Sequence, residues 1–376
     1  MKNSDSTSRF PVERISAGTP AQDVTNAVST MMQKARIPGM SVAVVDRDRV
    51  VFAGGYGLAD LAARTPATAS TSYLWFSMTK LATATAALRL ADEGRLDLDA
   101  PVAEYVDYLR APGRVQPTVR QLLTHTAGLG NPLPIRWAHA AETVPPDPEA
   151  LLRKLMARRR AYRYAVGQMA RYSNVGYLAA GQIISAAAGM PFEDYLHRSV
   201  LQRLDMHNTG FGRPTEVGAA TGYIKAPRVA DPVLRRLLPP GIAGDRHGAY
   251  LSLNAFHVDG PAYGGLVGDV LDAAKFLRMH LRDGELDGNC VLTPESARRM
   301  RLIEHAGKPF AHGIGWFRRS SDSTMPWVEH FGTGAGFWNV MRLYPDHGLG
   351  VVIMSNSTAA YDFEPLMELL AGASSQ

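Results

Sequence analysis

Two pairs of β-branched runs, one pair near each end of the chain, constrain the fold more than any other feature. Met40 to Val45 and Arg49 to Gly54 are joined by Asp46-Arg47-Asp48, a charged turn suited to a hairpin. Trp338 to Tyr344 and Gly350 to Met354 flank Pro345-Asp346-His347-Gly348 and predict a second hairpin. Between these ends, Leu81 to Ala91 and Leu178 to Ala188 are rich in Ala and Leu and run up to Gly94 and Gly189, so they predict helices. A further helix is predicted at Asp23 to Ala35, where Val24, Ala27, Val28, Met31, Met32 and Ala35 recur at helical spacing before Ile37-Pro38-Gly39. A last amphipathic segment lies around Leu366 to Leu370. Strands at both termini and helices at the centre imply an α+β fold: one antiparallel sheet assembled from both ends, flanked by helices, with a mainly helical region inserted. Residues 210–262, rich in Gly, Pro and Arg and weakly periodic, predict long loops over a cleft. There is no internal repeat.

With 376 residues, the chain can bury a large core without covalent staples. Cys290 is the single cysteine, so no intrachain disulfide forms and a reduced compartment fits. Met1 to Phe10 is polar and lacks the apolar run of a secretory signal, and no stretch approaches the roughly 20 apolar residues that cross a bilayer. A cytoplasmic location without membrane association is the expectation. The net charge of +5 is scattered apart from short clusters such as Arg158, Arg159 and Arg160. Without a basic stripe or interleaved aromatics, no nucleic-acid partner is expected. No histidine pair has metal-ligand spacing, so neither a metal nor another cofactor is expected.

Three segments carry candidate chemistry. In Ser77-Met78-Thr79-Lys80, placed just before the helical run at Leu81, Lys80 shares a helix face with Ser77. The helix N-terminus there favours negative charge on Ser77, and Lys80 accepts a proton at neutral pH only if its surroundings lower its pKa. Tyr172-Ser173-Asn174, read as a loop before a helix starting near Tyr177, offers a phenol for proton relay and an amide to hold Lys80 or a substrate carbonyl. The third is His330-Phe331-Gly332-Thr333-Gly334-Ala335-Gly336, whose glycines allow a substrate close to the backbone. Taken alone, each has an ordinary reading: a capping serine, a packed tyrosine, a glycine-rich turn.

Together, in this order and spacing, they resemble the serine β-lactamase-like superfamily of class C β-lactamases, D-alanyl-D-alanine carboxypeptidases and family VIII carboxylesterases. Leu122-Leu123-Thr124-His125-Thr126-Ala127-Gly128-Leu129, Tyr263-Gly264-Gly265-Leu266 and Gly313-Ile314-Gly315-Trp316 extend the resemblance. It implies an N-terminal extension over residues 1–24 and a β-lactamase-related domain over 25–370. The α/β part of that domain would comprise about 25–75 and 265–370, and the helical and loop part about 76–264. It also implies an acyl-enzyme on Ser77, with Lys80 and Tyr172 sharing the proton traffic and Asn174 orienting. The N–H groups of Ser77 and Thr333 would form the oxyanion hole, and His125 would be structural.

The third segment departs from the lactamase pattern, in which Lys-Thr-Gly gives the substrate carboxylate a charge and a hydroxyl. Here the triplet is His330-Phe331-Gly332; the imidazole is mostly neutral at pH 7 and the phenyl ring donates no hydrogen bond. A small neutral ester is therefore the expected substrate, with Phe331 lining the acyl pocket if its ring faces the cleft. A carboxylesterase is the leading reading. A β-lactamase, a D-Ala-D-Ala peptidase or amidase of the same fold, and a catalytically silent ligand-binding relative are the alternatives. Oligomeric state is not legible.

Overall fold

The valine-rich runs from the two ends of the chain meet in one sheet. The structure, a computed structural model, describes residues 21–132, 136–158, 161–212, 218–319 and 326–372. Strands β1 (Gly39–Val45), β2 (Val50–Asp60) and β3 (Thr65–Pro66) come from the N-terminal end. From the C-terminal end come β4 (Phe310–His312), β5 (Phe317–Arg319), β6 (Val328–Gly334), β7 (Phe337–Tyr344) and β8 (Leu349–Ser355). Their spatial order is β4-β5-β6-β7-β8-β1-β2-β3, and every neighbouring pair is antiparallel. The two ends join where β1 pairs with β8, from Met40 opposite Ser355 to Val45 opposite Gly350. Asp46 closes the first hairpin, its Oδ1 accepting the N–H groups of Asp48 and Arg49 at 2.7 Å each.

Strand alternation sorts side chains onto two buried faces. Val42 and Val44 pack with Val351 and Ile353 against α1 (Ala21–Ala35) and the C-terminal helix α5 (Glu364–Gly372). Ala43, Val45, Val352 and Met354 face the larger core, which contains α2 (Thr79–Asp92), α3 (Asn174–Ala188) and α4 (Val270–Leu281). A strand covered on both sides reads as an unbroken apolar run, which is why β1 is so conspicuous in the sequence.

The expected α+β architecture is therefore present, with adjustments. Residues 1–20 of the expected N-terminal extension lie outside the described residues, and its last four residues, 21–24, already belong to α1. Residues 210–262 are not simply long loops. Tyr223–Lys225, Tyr250–Leu253 and Ala243–His247 form a small three-stranded sheet, and Asp231–Leu237 is a helix. These runs are too short for periodicity to reveal, and they are fixed by backbone pairing. Among the described residues, no single helix is long and apolar enough to cross a membrane.

Candidate active site

Ser77 sits at the junction of a 3₁₀ turn, Phe76–Met78, with α2. Phe76 immediately before it has φ of 45°, a left-handed value that a non-glycine residue adopts at a cost of about 1–3 kcal/mol. Its ring packs against Phe256 and Phe337, at centroid distances of 6.3 and 6.1 Å, and this packing holds the turn. Lys80, one helical turn later, is completely buried. Its Nζ lies 3.0 Å from Ser77 Oγ and donates to the Tyr263 carbonyl oxygen at 3.0 Å. The rings of Tyr172, Tyr263 and Tyr177 surround the same nitrogen at 4.8, 5.3 and 5.6 Å. Burial holds the amine well below the ordinary lysine range. In the neutral form, Nζ has a lone pair for the Ser77 proton.

Tyr172 is partly buried and bonded to Ser77, yet burial pushes its phenol up, so at neutral pH it retains its proton. A phenol that keeps its proton can serve the expected relay as a donor, while a neutral Lys80 can serve as an acceptor. Tyr172-Ser173-Asn174 leads straight into α3. Ser173 is the helix N-cap, accepting from the Gly176 N–H at 3.1 Å, and Asn174 is the first helical residue. The Asn174 N–H donates to Asn131 Oδ1 at 2.9 Å, while its own side-chain oxygen is buried without a partner among the described residues. Lys80 bonds to Ser77 and to the Tyr263 backbone carbonyl oxygen, which leaves a substrate carbonyl as the other partner expected of the Asn174 amide.

The third segment lies on β6. Strand β5 pairs with β6 only at Glu329, so beyond that point β6 has an edge, which runs beside the Phe76–Met78 turn. Gly332 makes this approach feasible: a Cβ there would lie 2.0 Å from the Trp75 carbonyl oxygen. Thr333, the expected oxyanion donor, follows on that edge and is exposed. His330 faces the Lys80 side, with its ring 6.2 Å from that of Tyr172. Its Nδ1 lies 2.7 Å from the Phe331 carbonyl oxygen. A carbonyl only accepts, so Nδ1 carries the proton and Nε2 a lone pair. Nε2 is buried with no partner among the described residues. Burial, with Lys80 nearby, holds His330 well below the ordinary histidine range.

Phe331 leaves the strand on the other face. It is paired across the sheet with Val340, packs against Trp338 at 5.1 Å and Phe363 at 5.9 Å, and belongs to the cluster under α1 and α5. The expectation that its ring lines the acyl pocket is thus overturned by strand alternation: with His330 toward the site, its neighbour points away.

Sequence reasoning gave no role to several groups gathered here. Tyr263 holds Lys80 through its carbonyl oxygen, and Tyr177 completes the ring of tyrosines. His312, pushed down to about 4 by burial and by His305, stands 4.8 Å from His125. Tyr263 and His125 lie within Tyr263-Gly264-Gly265-Leu266 and the segment 122–129, but no local signal marks Tyr177 or His312. Among the described residues, no group of His, Cys, Asp or Glu is arranged to hold a metal ion.

A family model described as Beta-lactamase matches residues 24–372, essentially the whole described chain. The chain belongs to the beta-lactamase family. Members of this family are serine hydrolases. Protein flp of Staphylococcus aureus (strain N315) is 25% identical over 345 residues, covering 90% of this chain. This chain spans only 64% of the length of that relative. A Beta-lactamase of Pseudomonas fluorescens is 26% identical over 349 residues, covering 89% of this chain and 93% of its own. EstCE1, described as a hydrolase with promiscuous acyltransferase activity, shares the beta-lactamase fold with a TM-score of 0.74 at 22% identity. That match covers 95% of this chain and 98% of EstCE1.

Proposed function

We propose that this beta-lactamase family member is a carboxylesterase that hydrolyses small, uncharged acyl esters through an acyl-enzyme on Ser77. The state of His330 carries the reading. Where a lactamase places a cation for the substrate carboxylate, this chain buries a neutral imidazole whose unpartnered nitrogen carries only a lone pair. A carboxylate meets no donor there. One hydrogen bond to a charged group is worth about 1.5–3 kcal/mol, or roughly 10- to 150-fold in kcat/KM. An ester without a charge forgoes nothing.

The chemistry follows from the order of proton affinities. Neutral Lys80 takes the Ser77 hydroxyl proton as the oxygen attacks the ester carbonyl. The Ser77 and Thr333 N–H groups receive the oxyanion. Tyr172 gives its proton to the departing alkoxide, and the Lys80 ammonium restores it. Water repeats the sequence on the acyl-enzyme, releasing the acid and returning Ser77 to its hydroxyl form.

The test compares kcat/KM for p-nitrophenyl acetate and butyrate with that for nitrocefin and a D-Ala-D-Ala peptide. Esters exceeding nitrocefin by about 10-fold or more are expected. Equal or faster nitrocefin turnover replaces the reading with a lactamase, and dominant peptide cleavage replaces it with a peptidase.

A further inference from the structure

The segment that carries Tyr172 is held from both sides by one residue outside the reacting groups. His125 follows the short helix Val119–Leu123 and has φ of 60°. This left-handed value turns its carbonyl and its ring toward the same neighbour. The carbonyl oxygen accepts the Arg171 N–H at 2.8 Å, and Nδ1 accepts the Ser173 N–H at 3.1 Å. These are the residues immediately before and after Tyr172. Between the two bonds, the His125 ring lies against the Tyr172 ring, with centroids 4.6 Å apart and planes inclined at 38°.

The contact is specific in its chemistry. A backbone N–H can only donate, so His125 Nδ1 must keep its lone pair, and the neutral ring carries its proton on Nε2. Burial, with His312, Lys80 and His330 nearby, keeps the ring uncharged. An imidazolium would put a second proton on Nδ1 and break the bond to Ser173.

Resting on the proposed role of Tyr172, we infer that His125 is a positioning residue: it clamps the backbone on both sides of Tyr172 and sets the hydroxyl on Ser77. A displacement of about 1 Å at a reacting group can lower turnover by about 100-fold. Because the clamp acts on Tyr172 and not on the bound substrate, kcat should change while KM does not.

His125→Asn and His125→Gln separate the clamp from bulk packing. Asn carries an acceptor on Cγ, as His does, and tolerates the left-handed backbone. Gln has the same amide one methylene further out. The expected result is that His125→Asn keeps kcat for p-nitrophenyl butyrate within about fivefold of wild type. His125→Gln should lose about 30- to 100-fold, with KM in both variants within about threefold of wild type. His125→Gly adopts the backbone angle without strain and provides a second variant lacking the acceptor if His125→Gln does not fold. In a Tyr172→Phe background, the loss from His125→Gln or His125→Gly should shrink to about threefold or less, since the hydroxyl being positioned is gone. Equal kcat for the Asn and Gln variants, or the same fold-loss in both backgrounds, overturns the inference. Hydrolysis retained by Ser77→Ala instead overturns the acyl-enzyme reading, whatever the His125 variants do.

Discussion

Gly332→Ala tests the contact that brings β6 beside the nucleophile. A Cβ at this position would lie 2.0 Å from the Trp75 carbonyl oxygen, and carbon and oxygen approach no closer than about 3.3 Å. The strand edge and the Phe76–Met78 turn must therefore separate by about 1.3 Å along that line. Trp75 is fully buried and Met78 lies beneath the glycine, so backbone has to give way. Losing one oxyanion donor costs about 100- to 1,000-fold in kcat, and a shift of about 1 Å sits at the lower end of that range. We expect kcat for p-nitrophenyl butyrate to fall about 100-fold, with about 1–3 kcal/mol of destabilisation from overpacking. Steady-state kinetics and a thermal melt measure both. Gly210→Ala, where a Cβ meets nothing within 4 Å, is the control and should change neither. A Gly332→Ala enzyme within threefold of wild-type kcat and with an unchanged melting temperature refutes the placement of β6 against Ser77.

Ser77→Ala, Lys80→Ala and Tyr172→Phe should each lower kcat by about 1,000-fold or more, with sub-additive combinations; near-full kcat in Lys80→Ala contradicts the assignment of the base. Lys80 binds a proton more weakly in the fold than in the unfolded chain, so its contribution to stability increases as pH rises from its depressed value toward about 10.4. Activity should rise with pH through the same depressed ionisation, whereas Lys80→Met should abolish turnover, lose this pH dependence of stability and melt no lower than wild type at pH 7. A kcat already maximal at pH 5, with chemistry limiting, contradicts a lysine base. Phe331→Thr should leave the ester-to-nitrocefin ratio within about threefold and destabilise by about 2 kcal/mol through its half-buried aromatic cluster. His330→Lys should instead raise nitrocefin turnover relative to esters by about 10-fold, and an unchanged ratio removes His330 from the specificity argument.

What could be read from the sequence follows from the range of the interactions involved. Val42 to Val45 and Val351 to Met354 announced themselves because both faces of these strands are buried, and Ser77 and Lys80 fall on one helix face by spacing alone. The side-chain direction of Phe331 was also within reach. Once His330 is placed toward the site, the period of two sends Phe331 away, a direction that residue type alone does not carry. The small sheet within 210–262 was hidden because strands of three to five residues carry too few side chains to show a period. The clamp of His125 on Ser173 joins residues 48 apart, and His312 reaches the site from another strand, so neither contact leaves a local signature. The protonation states were least accessible, because the low proton affinity of Lys80 and the retained proton of Tyr172 both follow from burial that exists only in the folded chain.

Intact-protein and peptide mass spectrometry of an enzyme quenched during turnover of a slowly deacylated p-nitrophenyl ester tests the central claim most directly. The expected product is one added acyl group, located on Ser77, absent from Ser77→Ala, and appearing no more slowly than the steady-state rate. Turnover without a covalent adduct under conditions that trap acyl-enzymes, or an adduct on another residue that persists in Ser77→Ala, contradicts it.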